Sequence, residues 1–304
     1  MGKRILTGAV DIGGTKIQVG IVDDQGELLD EKSFPTDCGK RSAAEAMDKI
    51  WQILKEQCGR IGIEAGELRG IGISCAGPVD PEKGTIENPY TLGGWAGFPA
   101  AEYLSALSGV EARMENDANG ALMGEVFLRK LQKRKVLMIT FGTGIGAAFW
   151  NGRTVHRSGR FHPEMGHVIV SSGGEKCYCG HRGCFESLCS GQALNRRAAK
   201  AGYEDFDVLY ERAGSGEAQA ASLLDEILQD IRNGVWNLNI IFKPDTIILA
   251  GGFARRYFGM IRDAIVSDSC GKEDFVELFE ILPASRDQNP ALAGANMLFE
   301  VLES

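Results

Sequence analysis

Leu6-Thr7-Gly8-Ala9-Val10-Asp11, Ile12-Gly13-Gly14-Thr15-Lys16 and Ile17-Gln18-Val19-Gly20-Ile21-Val22 follow one another without a break. The outer two segments read as short apolar strands and the middle one as a turn that needs its glycine pair. Asp23-Asp24-Gln25-Gly26 is the polar turn that closes the unit. The same grammar returns in the second half of the chain. Val136–Thr140 is an apolar strand, Gly142-Thr143-Gly144-Ile145-Gly146 a glycine turn, Ala147–Trp150 a second strand and Asn151-Gly152 a hairpin turn. Asp11 and Thr140 hold corresponding places, 129 residues apart. The repetition predicts a duplicated α/β domain with a cleft between the copies, and two glycine turns facing one cleft would form a phosphate clamp.

Periodicity fills in the rest. Met47, Ile50, Trp51, Leu54 and Cys58 give residues 42–58 the spacing of an amphipathic helix that Gly59 ends. Ile71–Cys75 is a short buried strand running into Gly77-Pro78. Val110–Met114 is another, followed by a small-residue helix over Ala118–Val126. A long helix over about 216–241 lines up Ala220, Leu223, Leu224, Ile227, Leu228, Ile231, Val235 and Leu238, although Gly234 costs it roughly 1 kcal/mol. Lys243-Pro244 stops it, Thr246–Leu249 is a β-branched strand ending in Gly251-Gly252, and Asn289-Pro290 opens a final helix.

Composition narrows the function. The chain has 304 residues, enough for two domains with a core each. Its 40 glycines are about 13% of the chain against a usual share of about 7%. Lys and Arg number 33 against 41 Asp and Glu, and the net charge of −8 disfavours a nucleic-acid partner. The one basic cluster, Arg129, Lys130, Lys133, Arg134 and Lys135, reads as a solvated helix end. No apolar run approaches the ~20 residues of a membrane span and the N-terminus is too short for a signal peptide, so no membrane partner and a cytoplasmic location are expected. Of eight cysteines, Cys177, Cys179, Cys184 and Cys189 fall within 13 residues, and His156, His162, His167 and His181 lie close by. That distribution is one of a metal site more than of a disulfide framework.

Three segments carry chemistry. In the first glycine turn, backbone N–H groups can approach phosphate oxygens, Thr15 adds a hydroxyl donor and Asp11 can hold the water shell of Mg²⁺. In Glu115-Asn116-Asp117-Ala118-Asn119-Gly120, Asp117 serves either as a helix N-cap or as a general base mounted on a rigid strand-to-helix turn. The spacing His-x9-Cys-x-Cys-x4-Cys from His167 through Cys177, Cys179 and Cys184 supplies three thiolates and an imidazole, a tetrahedral set suited to structural Zn²⁺, with His181 as the alternative fourth ligand. Glu164 and Glu186 flank this loop as surface carboxylates or as acceptors for polyol hydroxyls, and His167 has a second nitrogen for a substrate hydroxyl.

Together these segments resemble the ROK family of sugar kinases and sugar-responsive repressors, within the actin-like ATPase superfamily. The motifs are Asp11–Lys16, Glu115–Asn119, Gly142–Gly146, Glu164-Met165-Gly166-His167, Cys177–Glu186 and Leu249–Gly252, in family order over nearly the whole chain. The resemblance implies a duplicated actin-like, ribonuclease H-like fold of two lobes around a central cleft. The N-terminal lobe would be 1–118, completed by a C-terminal helix over 289–304, and the C-terminal lobe 119–288. It implies Asp117 as the base acting on a hexose hydroxyl at C6, with Gly77, Asn116, Asp117, Glu164, His167 and Glu186 holding the sugar. Gly13, Gly14, Thr15, Lys16, Thr143 and Gly144 would face the phosphates of ATP, Asp11 would lie near Mg²⁺, and Gly251 and Gly252 near adenosine. Zn²⁺ would be held by His167, Cys177, Cys179 and Cys184. Ala250 stands where many relatives have a third glycine. His162-Pro163 is similar to the family's fructokinases, whereas Cys-x-Cys-Gly and Asn-Asp-Ala-Asn are similar to its glucokinases, so the sugar stays open among glucose, fructose and N-acetylhexosamines such as N-acetylmannosamine. Family repressors carry a DNA-binding module ahead of the first phosphate motif, and only ten residues precede Asp11, so a kinase is expected over a regulator. A homodimer is the assembly the resemblance implies.

Overall fold

The computed structural model describes residues 4–158, 162–267, 279–285 and 289–300. By internal contacts they fall into two units, the described parts of Met1–Lys133, Trp150–Pro163 and Ser285–Ser304, and those of Arg134–Phe149 and Glu164–Ala284.

The first unit holds β1 (Leu6–Ile12), β2 (Lys16–Asp23), β3 (Leu28–Pro35), α1 (Ala43–Ile61), β4 (Ile71–Cys75), the small hairpin β5 (Val79–Asp80) and β6 (Thr85–Ile86), α2 (Ala100–Ser108), β7 (Ala112–Asn116) and α3 (Asp117–Leu128). Its main sheet has the order β3-β2-β1-β4-β7, antiparallel from β1 to β3 and parallel across β1, β4 and β7. β1 and β4 read as continuous apolar runs because both of their faces are covered, and Asp11 is the one residue of β1 that is not fully buried. α1 starts on a reciprocal cap between Ser42 and Glu45 and buries Met47, Ile50, Leu54 and Cys58. It runs past Gly59, the expected end, and stops at Gly62, whose φ of 81° and N–H bonds to the Cys58 and Gly59 carbonyls form the actual cap.

Asn289 caps the last helix as expected, but that helix is a single turn, Pro290–Ala293, followed by the 3-10 turn Gly294–Leu298. The expected extension to 304 reaches beyond the described residues. Arg69 Nη2 and Arg113 Nη1 donate to the carbonyls of Asn296 and Leu298, each at 2.7 Å. On α3, buried Glu125 takes the N–H and hydroxyl of Ser285 at 2.6 and 3.0 Å, together with Arg129 Nε at 2.7 Å. These bonds place α3 with the first unit, so the contact-defined division falls after Lys133, where the sequence reading draws it at 118/119.

The second unit holds β8 (Lys135–Phe141), β9 (Ile145–Asn151), α4 (Phe185–Cys189), α5 (Gly191–Lys200), α6 (Phe206–Gly214), α7 (Ala218–Phe242), β10 (Thr246–Ala250), α8 (Gly251–Arg256), α9 (Phe258–Ser267) and β11 (Glu280–Pro283). The sheet order β11-β10-β8-β9 repeats β7-β4-β1-β2, with β8, β10 and β11 parallel. The duplication seen in the glycine turns therefore extends to the strands around them. Ala220, Ile227, Ile231, Val235 and Leu238 form the buried face of α7. A Cβ at Gly234 would lie 2.5 Å from the ring of Phe185, so the residue that weakens the helix makes room for a fully buried aromatic. Among the described residues no helix is long and apolar enough to cross a membrane.

Candidate active site

Three parallel strands of the first unit end side by side. In register, Asp11 pairs with Ser74 and Ser74 with Glu115, while Ile12 pairs with Cys75 and Cys75 with Asn116. The ends of β1, β4 and β7 thus bring together the first glycine turn, Ala76-Gly77 and the Asn116-Asp117 step into α3. Gly13 N–H bonds back to Lys16 O at 3.0 Å, Thr36 Oγ1 donates to Gly13 O at 2.6 Å, and Ala76 N–H to Ile12 O at 2.8 Å. A Cβ on Gly77 would stand 2.4 Å from Asn116 Nδ2, so only glycine leaves space for that amide.

Asn116, not Asp117, is the N-cap of α3. Its Oδ1 accepts the N–H of Ala118 at 2.9 Å and of Asn119 at 3.4 Å. That leaves Asp117 in the first turn, with Oδ1 accepting Ala118 N–H at 2.9 Å. Asp117 is open to solvent, yet the protein packed around it pushes its carboxyl up from the ordinary value, against the pull of the backbone N–H bonds. Asp11 is raised to about 6, first by burial and then by the negative charge of Asp117, with Lys16 acting in the opposite direction. Two carboxylates that resist ionising together at a strand-end site are a signature of chemistry more than of packing.

Sequence reasoning missed two parts of this site. Buried Asn88 anchors a loop beside the first glycine turn, donating to Ala76 O at 3.1 Å and to Thr91 Oγ1 at 2.8 Å, and Thr91 lies 3.0 Å from where a Gly14 Cβ would be. Buried Glu115 is held by Arg157 through Nε at 2.9 Å and also through Nη2.

In the second unit, Gly142 N–H closes its turn on Gly144 O at 2.9 Å. Glu186, in the first turn of α4, accepts Ile145 N–H at 2.9 Å and lies against Gly144. Gly166 packs on the same strand start, where a Cβ would meet Ile145 O at 2.1 Å. The second glycine turn therefore carries both the Glu164–His167 segment and Glu186.

His167, Cys177, Cys179 and Cys184 offer ligand atoms that all lie within 4.8 Å of one another. Cys177 Sγ is 3.5 Å from His167 Nδ1, and Cys179 Sγ 3.5 Å from Cys184 Sγ. A tetrahedron with metal–sulfur bonds of about 2.3 Å has edges just under 4 Å, so the donor set and its spacing fit Zn²⁺. Burial and the neighbouring sulfurs push the Cys184 thiol up to about 12. His167 and not His181 joins this group. His181 is exposed and contributes its carbonyl to Cys177 N–H at 2.8 Å. Cys189 is buried in the core of the unit. The outward nitrogen of His167, Nε2, bonds Tyr178 OH at 3.1 Å, a partner that nothing in the spacing announced.

Two concavities flank the second glycine turn. One, of about 390 Å³, is lined by Thr143, Gly144, Tyr178 and Glu186. The other, of about 620 Å³, lies between Gly142-Thr143, α5, Gly252 and the aromatic side chains of Phe206, Phe253 and Tyr257. At its edge Gly251 has φ 89°, and a Cβ there would meet Phe141 O at 2.3 Å. Ala250, the departure from the family pattern, has φ −115° and ψ 173°, extended backbone that alanine adopts without strain.

A duplicated α/β sheet with a glycine turn in each copy is the architecture of the actin-like ATPase class. The chain belongs to the ROK family, whose model matches residues 7–301. It is 30% identical over 299 residues to an N-acetylmannosamine kinase of Vibrio vulnificus, covering 96% of this chain and 97% of that one. Among solved structures it is similar to a ROK hexokinase from Thermus thermophilus, with TM-score 0.79, 28% identity and 96% of each chain covered. It is also similar to a ROK glucokinase from Streptomyces griseus in complex with glucose and AMPPNP, with TM-score 0.67, 28% identity, and 96% and 98% of the two chains covered.

Proposed function

We propose that this protein is an ATP-dependent sugar kinase that phosphorylates the terminal C6 hydroxyl of a hexose, with Asp117 as general base. The observation that carries this reading is the placement of Asp11 near the end of β1 and Asp117 just past the end of β7, on either side of β4 and close enough that the charge of Asp117 raises the pKa of Asp11. The sugar hydroxyl gives its proton to the Asp117 carboxylate while its oxygen bonds to the γ-phosphorus. The bond from that phosphorus to the bridging oxygen breaks, and ADP leaves. Such a reaction is driven by positioning and charge neutralisation. Above pH ~6 Asp11 is ionised and suited to hold the water shell of Mg²⁺, which supplies the neutralising charge at the phosphates.

Gly13, Gly14, Thr15, Lys16, Thr143 and Gly144 face the phosphates, and the aromatic-walled concavity beside Gly251-Gly252 takes the adenosine. Gly77, Asn116, Glu164, His167 and Glu186 hold the sugar. His167, Cys177, Cys179 and Cys184 would hold a structural Zn²⁺, which would fix the loop between Glu164 and Glu186. Glucose and N-acetylmannosamine are the leading substrates, on the names of the relatives, with fructose the alternative. The protein works as a homodimer, which light scattering checks.

The test is ADP release from Mg-ATP with glucose, fructose, mannose, allose, N-acetylglucosamine and N-acetylmannosamine. One or two sugars should support turnover, and Asp117→Asn should lower kcat by about 10³-fold or more with sugar affinity within about tenfold. Near-parental turnover in that variant refutes the base. Sugar-induced stabilisation without ADP from any sugar would make the protein a sugar-responsive regulator instead.

A further inference from the structure

Glu115 immediately precedes the Asn116-Asp117 step, and its carboxylate is almost wholly shielded from water, at 1% exposure. Burying a carboxylate is unfavourable unless its lone pairs are filled, and an apolar side chain of similar size would stabilise the fold at least as well. Here one oxygen serves the turn that carries Asp117 and the other is held by an arginine. Oε1 accepts the N–H of Asn116 at 2.9 Å and the side-chain amide of Asn119 at 3.0 Å, one contact on each side of Asp117. Oε2 accepts Arg157 Nε at 2.9 Å and Arg157 Nη2. Asn116 in turn caps α3 through Ala118 and Asn119.

We propose that Arg157 is a positioning residue for phosphoryl transfer: its two-pronged grip orients Glu115, and Glu115 holds the Asn116–Asn119 frame that aims Asp117. The proposal rests on the reading of Asp117 as the base. A guanidinium is suited to the task because two N–H groups of its rigid fork converge on Oε2 and leave Oε1 to the turn, a directional hold that the single point charge of a lysine does not give. Without Arg157, Glu115 loses its counter-charge and the anchor on Oε2, and its carboxylate is free to rotate toward water. That rotation loosens the two contacts that bracket Asp117, and a base displaced by a fraction of an ångström is a poor one.

The experiment measures kcat, both KM values and melting temperature for Arg157→Met, Arg157→Lys, Glu115→Gln, Arg157→Met/Glu115→Gln and Asp117→Asn. Arg157→Met should lower kcat about 30–100-fold with KM for sugar and ATP within about threefold. Arg157→Lys should recover part of that loss, and the double variant should be no worse than Arg157→Met because the two residues act as one unit. Low millimolar guanidinium should raise kcat of Arg157→Met at least severalfold, which it would not do for a merely destabilised enzyme. Should Arg157→Met fail to fold, Arg157→Lys carries the test: a lowered kcat at unchanged KM supports the grip, and a parental kcat overturns it. Parental kcat in Arg157→Met, or a loss that tracks the unfolded fraction and ignores guanidinium, overturns the positioning role while an inactive Asp117→Asn leaves the base standing. Parental turnover in Asp117→Asn removes the base, and the positioning role with it.

Discussion

Asp11 opposes folding at neutral pH, and the cost has a size and a pH window. Its carboxyl is raised from 3.8 to about 6, with burial the larger cause and the charge of Asp117 the second. The unfolded chain gives up this proton near 3.8, while the native state keeps it to about 6. This group's contribution to stability is therefore fully present below pH 3.8, declines as pH rises and is lost above about 6. At about 1.4 kcal/mol per pKa unit the ceiling is about 3 kcal/mol, and about 2 kcal/mol once the water reaching a partly exposed carboxylate is allowed for. Asp11→Asn removes the penalty. In zinc-replete protein without Mg²⁺ or nucleotide, the variant should match its parent near pH 4 and exceed it by about 2–3 kcal/mol at pH 7.5, or about 3–5 °C in melting temperature for a chain of this length. It should have lost turnover with Mg-ATP. Urea denaturation at half-unit pH steps reads the difference, in which titrations common to both proteins cancel. Asp117→Asn should shrink the window by removing the second cause. Parallel pH–stability curves for parent and Asp11→Asn would refute the argument.

Two further outcomes follow from the second unit. Elemental analysis of protein purified without chelator should find about one zinc per chain, and Cys177→Ser or Cys179→Ser should lose both the metal and sugar binding by calorimetry; zinc-free parent protein that binds sugar normally would overturn the assignment. Gly251→Ala, with a positive φ and a backbone oxygen in the way, should cost roughly 2–4 kcal/mol in urea denaturation and raise the KM for ATP. Ala250→Gly next to it should shift stability by less than about 1 kcal/mol and leave that KM within about twofold. Equal effects at the two positions would contradict the backbone geometry.

The strands and glycine turns were legible because their signals are local. A period-2 or continuous apolar run bounded by glycine needs no partner to be recognised, and β1, β4, β8 and β10 all lie within a residue or two of the expected ranges. The end of α1 was misread at Gly59 because a helix tolerates glycine and stops where φ turns positive, three residues later at Gly62. That Asn116 caps α3 where the sequence reading offered Asp117, and that His167 and not His181 is the fourth member of the ligand group, needed coordinates, since each pair offers similar chemistry within a short stretch. The parts of the site that were not legible are those assembled from distant residues. Arg157 meets Glu115 across 42 positions from a segment with no periodicity, and the aromatic wall joins Phe206 of α6 to Phe253 and Tyr257 from the end of the chain's second half.

Glu115 and Asp11 show how one sheet treats two acidic residues in opposite ways. Glu115 receives its donors from the protein, Arg157 on one oxygen and two amide groups on the other, so its charge is neutralised before any ligand arrives. Asp11 lies two strands away, where burial first and the charge of Asp117 second hold its carboxyl up, with Lys16 acting in the opposite direction. A carboxylate whose partners are all protein is scaffold, because ligand binding changes nothing around it. A carboxylate held in the native state at a cost would gain free energy from a cation paired with it, which is what the proposed role of Asp11 beside Mg²⁺ asks of it. On the proposed reading, this difference in wiring separates the residue that holds the site from the one that uses it, within one five-stranded sheet.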